Sequence, residues 1–600
     1  MTADIIKTQQ GLARKALAQP SHRFTDLYHL LHRREWIEEA LQHVLTNDGA
    51  TTPGVDGMRW KHFNDVERSD FENERFRQRF IDEVQRDLRL RTFRPLPVRR
   101  VEIPKPGSLK RRPLGIPTIR DRVVQTLLKM VLEPIWEADF VYFSNGFRPG
   151  RCTMDCVQPL YKLCGTRTGY RWVIEGDIRA CFEAIPHDKL VATVARRIAD
   201  RHVLTLVTRF LKSGIMSEGR VEPSTRGTPQ GGPLSPLLAN CYLHQFDEWY
   251  RQRFASPDKR TDPLGYGRWR YRREKGKDVA AVQMFRYADD WISVVRGTKA
   301  QAEEVKQACK AFLCDDLGLD LSEEKTKVTH IQDGFDFLGY HIFRCNRASN
   351  GRRVGVFARP TTDSQRRLKA KIKAMTGRRT LDDDYLLKIQ ALNAVVRGWA
   401  MYYRAVNSTS TFQGIDQYVW LRLRTWLEKK HRCGPKQVRQ RYMRHRSGPR
   451  GGMDEFAAQD AQERWIYRSR ATNVQLVYHR PWLKRYWPHP YLEPVPAQAY
   501  AFPALDDRWE GTSRAPEYVA NRRLVMQRAG GRCEHCGQRA RLVVHHRNRR
   551  HYGRRPMARS DNRPEMMEAL CTSCHEKEHR AEVVAHNKLR VQASAAARST

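Results

Sequence analysis

The sequence predicts a multidomain α/β protein with a helical bundle behind its α/β unit and a small cysteine- and histidine-rich module near the C-terminus. Three observations lead there. Short β-type runs alternate with helical stretches over residues 99–339, as at 171–178, 285–295 and the helix-like 301–317. Residues 362–432 lose the strand signal and space Leu, Ile, Val, Trp and Tyr at helical intervals among Lys and Arg. Cys533-x-x-Cys536 and Cys571-x-x-Cys574 stand apart from both. At 600 residues the chain is too long for one ordinary core, so about three or four domains are expected.

Before the α/β unit, residues 25–95 read as helices with basic faces, interrupted by a turn-rich loop at 49–57. Behind the bundle, residues 434–452 carry six Lys/Arg, two Gly-Pro steps and no acid, which predicts a loop or linker lying on a polyanion. Residues 453–515 are aromatic and basic, and the Ala/Arg-rich end is expected to fray.

Charge narrows the partner. The chain has 108 Lys+Arg against 67 Asp+Glu, a formal +41, and such a surface repels itself until a polyanion neutralises it. Anionic membrane is the competitor, but no uninterrupted apolar run is long enough to span a bilayer. Residues 1–24 also lack the apolar core of a secretory signal. A soluble, intracellular nucleic-acid-binding protein is expected. Apart from the two CxxC pairs, the thirteen cysteines are scattered singly, which suits reduced thiols.

Chemistry is concentrated in a few segments. Tyr287-Ala288-Asp289-Asp290 lies between β-type runs, so it places two adjacent carboxylates at a hairpin tip, where a nucleotidyl-transfer site holds divalent metal. A clamp on attacking and leaving oxygens needs a ligand from a second segment, and the apolar run ending Glu175-Gly176-Asp177 supplies one. Phe182 follows Asp177 at a spacing that can put its ring under the sugar of an incoming nucleotide. The loop RGTPQGGPLSPLLAN (226–240) surrounds Gln230 with glycines that let backbone approach a ligand closely. Residues 103–118 give a basic hairpin whose cations could clamp a triphosphate. Plainer readings stand beside these: an acidic turn at YADD, an N-cap at Asp177, Phe182 in the core, a solvated basic turn.

Taken in order, these motifs resemble the reverse transcriptases encoded by group II introns. The resemblance covers residues 25–345 and runs through RRPLGIPTIRDRVVQ, NGFRPGRC, EGDIRACF, RGTPQGGPLSPLLAN, FRYADD, LSEEKTKV and FDFLGY. It implies a right-hand polymerase of fingers and palm with a helical thumb. It implies that Asp177, Asp289 and Asp290 hold Mg²⁺, and that Lys105 and Arg112 contact the triphosphate. Phe182 becomes the ribose gate, Gln230 packs on the incoming nucleotide, and Lys325 contacts phosphate. The chain departs from the family at Glu183-Ala184, where Asp-Asn is commoner. The segment around Trp399, Tyr403 and YVWLRLR (418–424) resembles the family's thumb or maturase domain, although Trp399 and Tyr403, four apart, also suit a helix core.

The four cysteines Cys533, Cys536, Cys571 and Cys574 have structural-zinc spacing, with a disulfide pair as the alternative. His545-His546 and His575-x-x-x-His579 accompany them. Together they resemble an HNH nuclease with a ββα-metal core, which implies His545, His575 and His579 as ligands of a divalent ion and His546 as general base. The family's central Asn position is occupied by Met566, with Asn562 four residues away. A DNA-binding zinc module without nuclease chemistry is the alternative.

The domains expected are 1–95 (N-terminal extension and start of the fingers), 96–345 (fingers and palm), 362–432 (thumb or maturase), 433–515 (basic DNA-binding or linker region), 516–585 (HNH) and a tail at 586–600. The expected partners are group II intron RNA, target DNA and dNTPs, with no membrane and with a homodimer left open. The expected work is to bind and help splice the intron, nick target DNA and reverse-transcribe the intron for retrohoming. The expected place is a bacterial cytoplasm, or else an organelle. A reverse transcriptase in another role, such as defence, and an RNA-binding splicing factor without polymerase or nuclease activity are the alternatives.

Overall fold

The computed structural model describes residues 2–65, 67–104, 111–165, 168–217, 220–228, 231–254, 280–345, 355–404, 406, 408–446, 453–474, 489–492, 524–538, 542–546, 567–571 and 574. They belong to two compact units, Met1–Phe357 with Arg480–Pro496, and Ala358–His479 with Ala497–Thr600.

The first unit is built around the helix Ile119–Trp136, nearly all of whose side chains are buried. Thr118 caps it, accepting the amide of Asp121 at 3.0 Å. Helices Ala3–Ala18 and Arg34–Thr46 pack against it. Burial on nearly every side leaves this helix little face for solvent, so the elements around it pack inward and its buried polar groups take partners such as Thr118 for Asp121. The turn-rich loop at 49–57 is tied to its start. Arg122 donates to the carbonyls of Gly49 and Thr52 at 2.6 and 2.8 Å. A Cβ on Gly54 would stand 2.6 Å from Thr118 Cα, so only glycine fits there.

Two sheets carry the chemistry-bearing motifs. Val98–Pro104 and Arg111–Ile116 form the expected antiparallel basic hairpin, extended by Ile215–Ser217 and Arg220–Glu222. The second sheet runs in the order Ala281–Tyr287, Asp290–Arg296, Trp172–Asp177, Lys327–His330, all antiparallel. Helices Ser235–Phe254 and Lys299–Ala311 pack on this sheet. This is the α/β unit the alternating pattern predicts, and its arrangement fits a polymerase fold.

In the second unit, helices Thr362–Met375, Tyr385–Tyr403 and Thr409–His431 form the expected bundle. The core reading holds for Tyr403, which is buried, whereas Trp399 is half-buried; Trp399 Nε1 and Tyr403 OH both reach Ser364 Oγ, at 3.0 and 2.7 Å. The loop expected at 434–452 is corrected over its described part. Pro435–Tyr442 is a helix with proline in its first turn, and Met443–Arg446 pairs with Met453–Gln459, which pairs with Trp465–Tyr467. Arg468, buried on Glu455 at 2.7 Å, donates to the Asp416 carbonyl at 3.1 Å, and the Asp416 carboxylate accepts the amide of Ala471 at 2.6 Å, which fastens this sheet to the bundle. This stretch is therefore folded structure rather than linker.

The C-terminal module is described in part. Residues 524–528 are helical, and Leu542–His546 pairs antiparallel with Met567–Cys571. Val525, Ala529, Leu542, Ala569, Leu570 and three cysteines make up its small core. No described helix is long and apolar enough to cross a membrane.

Candidate active site and cysteine cluster

Strand register assembles the carboxylates. Tyr287 pairs with Asp290 across the hairpin, leaving Ala288 and Asp289 as its two-residue tip, and Asp290 pairs with Asp177 on the neighbouring strand. Asp177 thus ends a strand and is not a helix cap; the next helix, Cys181–Ala184, begins after Ala180.

The tip is held from below. Ala288 has φ +59°, a left-handed conformation that costs a residue with a Cβ. Arg286 Nη1 donates to the Ala288 carbonyl at 2.7 Å. Arg286 is fully buried and also bonds Asp247 Oδ1 at 2.7 Å, Asn240 Oδ1 at 3.1 Å and Ser144 Oγ at 2.7 Å. A buried charge is tolerated only with such complete pairing. Gly146 lies flat on the tip, where an added Cβ would stand 2.2 Å from Ala288 N. Arg286 sits inside the FRYADD motif, Gly146 inside NGFRPGRC and Asn240 at the end of RGTPQGGPLSPLLAN, but Asp247 carries no local signal of its role.

Crowding marks the carboxylates electrostatically. Desolvation, then the neighbouring Asp177 charge, raises the Asp289 carboxyl above its ordinary value. Asp290 is pushed up to about 6 by desolvation and then by Asp289 and Asp177. Arg112, on the basic hairpin, opposes both shifts. Lys325 Nζ contacts Asp177 Oδ2 at 2.9 Å. Both line a cleft of about 320 Å³ with Glu175, Asp290, Glu324 and Asp336. Three repelling carboxylates with oxygen-only donors are a set a hard divalent cation fits. Among the described residues these carboxylates do not form a group of three donors as convergent as the cysteine sulfurs described below.

The described glycines of the 226–240 loop lie close against protein. A Cβ on Gly227 would stand 2.8 Å from Glu183 Cα, one on Gly231 2.6 Å from the Gly115 carbonyl, and one on Gly232 2.3 Å from Gln125 Oε1. Thr228 N donates to the Phe182 carbonyl at 2.6 Å, fixing the backbone of the proposed gate. Phe182 itself is half-buried against the main core. Lys105 and Gln230 lie outside the described residues.

In the C-terminal module the sulfurs of Cys533, Cys536, Cys571 and Cys574 all lie within 4.8 Å of one another. Among the described residues this is the one group of three or more His, Cys, Asp or Glu donors close enough to share a single ion. Cys536 Sγ and Cys571 Sγ are 3.8 Å apart, and a zinc tetrahedron with bonds of about 2.3 Å has edges of about that length. All four thiols are free, so no disulfide links them. The thiols of the cluster shift in opposite directions: burial raises Cys533 but backbone amides outweigh it and bring it down to about 7, whereas burial and then neighbouring thiols raise Cys536 and Cys574. The backbone at His545 and His546 pairs with Glu568 and Met567. His575, His579, Asn562 and Met566 lie outside the described residues.

Comparison with known proteins fits this geometry. A reverse transcriptase (RNA-dependent DNA polymerase) family model matches residues 103–342, and a group II intron maturase-specific domain matches residues 365–446. Protein YkfC of Escherichia coli K12 is 40% identical over 353 residues, 57% of this chain and 88% of YkfC. The group II intron-encoded protein LtrA of Lactococcus lactis subsp. cremoris is 33% identical over 374 residues, 56% of this chain and 60% of LtrA. An uncharacterized 91 kDa protein in the cob intron of Schizosaccharomyces pombe is 34% identical over 378 residues, 55% of this chain and 46% of that protein. The aligned stretch thus spans less than two thirds of LtrA and of the cob-intron protein, and neither family model reaches the cysteine cluster. With a reverse transcriptase domain and a group II intron maturase domain in sequence, and with YkfC matched over most of its length, the chain belongs to the group II intron-encoded reverse transcriptase/maturase family.

Proposed function

We propose that the protein copies group II intron RNA into DNA at Asp177, Asp289 and Asp290, that its maturase unit binds this RNA and assists its splicing, and that its C-terminal module nicks target DNA to supply the primer for retrohoming. The observation that carries the polymerase reading is the strand register that sets Asp177 beside Asp290 with Asp289 at the tip. Mg²⁺ bound there would activate the primer 3′-hydroxyl and neutralise charge building on the triphosphate. Arg112 contacts the triphosphate with Lys105, Gln230 packs on the incoming nucleotide, and Lys325 meets phosphate from the cleft. Phe182 stands under the sugar and rejects a 2′-hydroxyl.

The four cysteines hold Zn²⁺ as a structural clamp. His545, His575 and His579 hold a divalent ion at the nuclease, and His546 takes the proton from its attacking water. Intron RNA, target DNA and dNTPs are the substrates, and a bacterial cytoplasm is the setting, with an organelle as the other candidate. The basic excess, +41 over the chain, supports polyanionic partners.

Sequencing RNA that co-purifies with the protein tests the maturase reading: enrichment of one intron with its flanking exons is expected, and a featureless RNA population refutes it. For the nuclease, His546→Ala is expected to abolish nicking of the target strand with zinc content unchanged; nicking that survives the substitution removes His546 from its role. Gly146→Ala tests the hairpin seat. Its methyl displaces the Asp289 tip, and an extension rate lower by about a hundredfold is expected, because small misplacements of reacting groups cost that much. The check is single-turnover extension beside an unchanged melting profile.

A further inference from the structure

Phe147, between the catalytic tip and the proposed gate, combines two features that packing alone leaves unexplained. It is a large apolar side chain left 51% exposed, and its φ of +59° is left-handed, a conformation that glycine adopts far more readily. Its neighbours impose that conformation. Asn145 N donates to the Arg286 carbonyl at 2.9 Å. Asn240 Nδ2 donates to the Gly146 carbonyl at 2.7 Å. Arg148 is buried on Glu137 Oε2 at 2.9 Å and on the carbonyls of Val141 and Ser144 at 2.8 and 2.6 Å. Strain of this kind persists only where the surroundings over-determine it, and it gathers at functional sites.

What the strain achieves is a ring contact. Phe147 meets Phe182 edge to face, with centroids 6.1 Å apart and planes at 81°. Phe182 is thus held twice, its carbonyl by Thr228 N at 2.6 Å and its ring by Phe147. A steric gate discriminates only if it cannot turn aside, since rejection of the wrong substrate requires the clash to be unavoidable. We infer that Phe147 is a positioning residue for sugar selection: it braces the Phe182 ring so that a 2′-hydroxyl meets a fixed obstacle. The inference rests on the reading of Phe182 as the ribose gate.

The test compares kcat/KM for each dNTP with that for its matching rNTP, using the full chain on an RNA template with a DNA primer. In Phe147→Ala the deoxy/ribo ratio is expected to fall roughly three- to tenfold, the scale of one edge-to-face contact, through a gain in ribonucleotide efficiency. Phe147→Gly, which suits the backbone and also deletes the ring, should give the same fall, so a misfolded alanine variant leaves the test intact. Phe147→Tyr keeps the ring and should keep the ratio. A ratio equal to wild type in both deletions, or deoxy and ribo efficiencies falling together, overturns the inference. Phe182→Ala separates the layers. If its ratio also equals wild type, the gate reading fails and takes the inference with it. If its ratio falls while both Phe147 deletions match wild type, the inference alone fails.

Discussion

Asparagine in place of Asp289 is expected to leave a folded protein that no longer extends a primer. The substitution keeps shape and removes one of three crowded negative charges. Desolvation and the Asp177 charge already raise the Asp289 carboxyl, and Asp289 in turn helps push Asp290 up to about 6. Removing that charge relieves repulsion, so the melting temperature should hold or rise slightly. Activity goes the other way. The charge that repels its neighbours in the isolated site is the charge that fixes a divalent cation against a triphosphate. Losing several kcal/mol of transition-state stabilisation lowers the rate by roughly a thousandfold or more. Single-turnover extension on an RNA template, with RNA binding measured in parallel, separates the two effects. Extension at the wild-type rate would remove Asp289 from the site, whereas loss of extension and binding together would indicate a folding defect.

The second large effect concerns the cysteine cluster. Cys571→Ser is expected to reduce bound zinc from about one ion per chain to almost none. The cysteines join Val525, Ala529, Leu542, Ala569 and Leu570 in the described core of the module, so an ion held by them would tie the segments of that core together. Structural zinc sites supply about 10–16 kcal/mol of apparent binding energy at neutral pH, and that energy is folding energy. The module should therefore become sensitive to protease and lose target nicking, while extension from a supplied primer continues. Elemental analysis and limited proteolysis check the expectation; a wild-type protein free of zinc, or a serine variant equally resistant to protease, would overturn it.

Local pattern carried the catalytic hairpin and the second strand. Aromatic and β-branched residues flank two acids at YADD, and Trp172 to Ile174 is an apolar run leading to Asp177. A period-2 or continuous apolar signal of that kind is complete within one segment. The helices of the second unit were equally legible. The stretch at 434–452 was not, because Pro435–Tyr442 buries only Val438 and shows no apolar face, so its high charge and flanking glycines resemble a linker. Its structure depends on strand pairing with Met453–Gln459 and on Asp416 and Arg468, contacts that no local periodicity records.

The same division runs through the active site. Sequence by itself determined which residue types are present and on which local elements: one carboxylate at a strand end and two at a hairpin turn, a basic hairpin, a glycine loop, an aromatic after Asp177, and four cysteines at metal spacing. Short-range geometry suffices for those, since strand, hairpin and knuckle are set by neighbours along the chain. Tertiary structure alone decided that Asp177 stands opposite Asp290, that buried Arg286 holds the Ala288 tip, that the loop glycines press on protein, and that Phe147 leans on Phe182. The Arg286 bond to Ala288 is local but depends on Asp247, 39 residues away, to bury Arg286, and each of the others joins segments tens of residues or more apart. Such contacts form only when burial has brought the segments together, which is why they leave no periodic trace in either one.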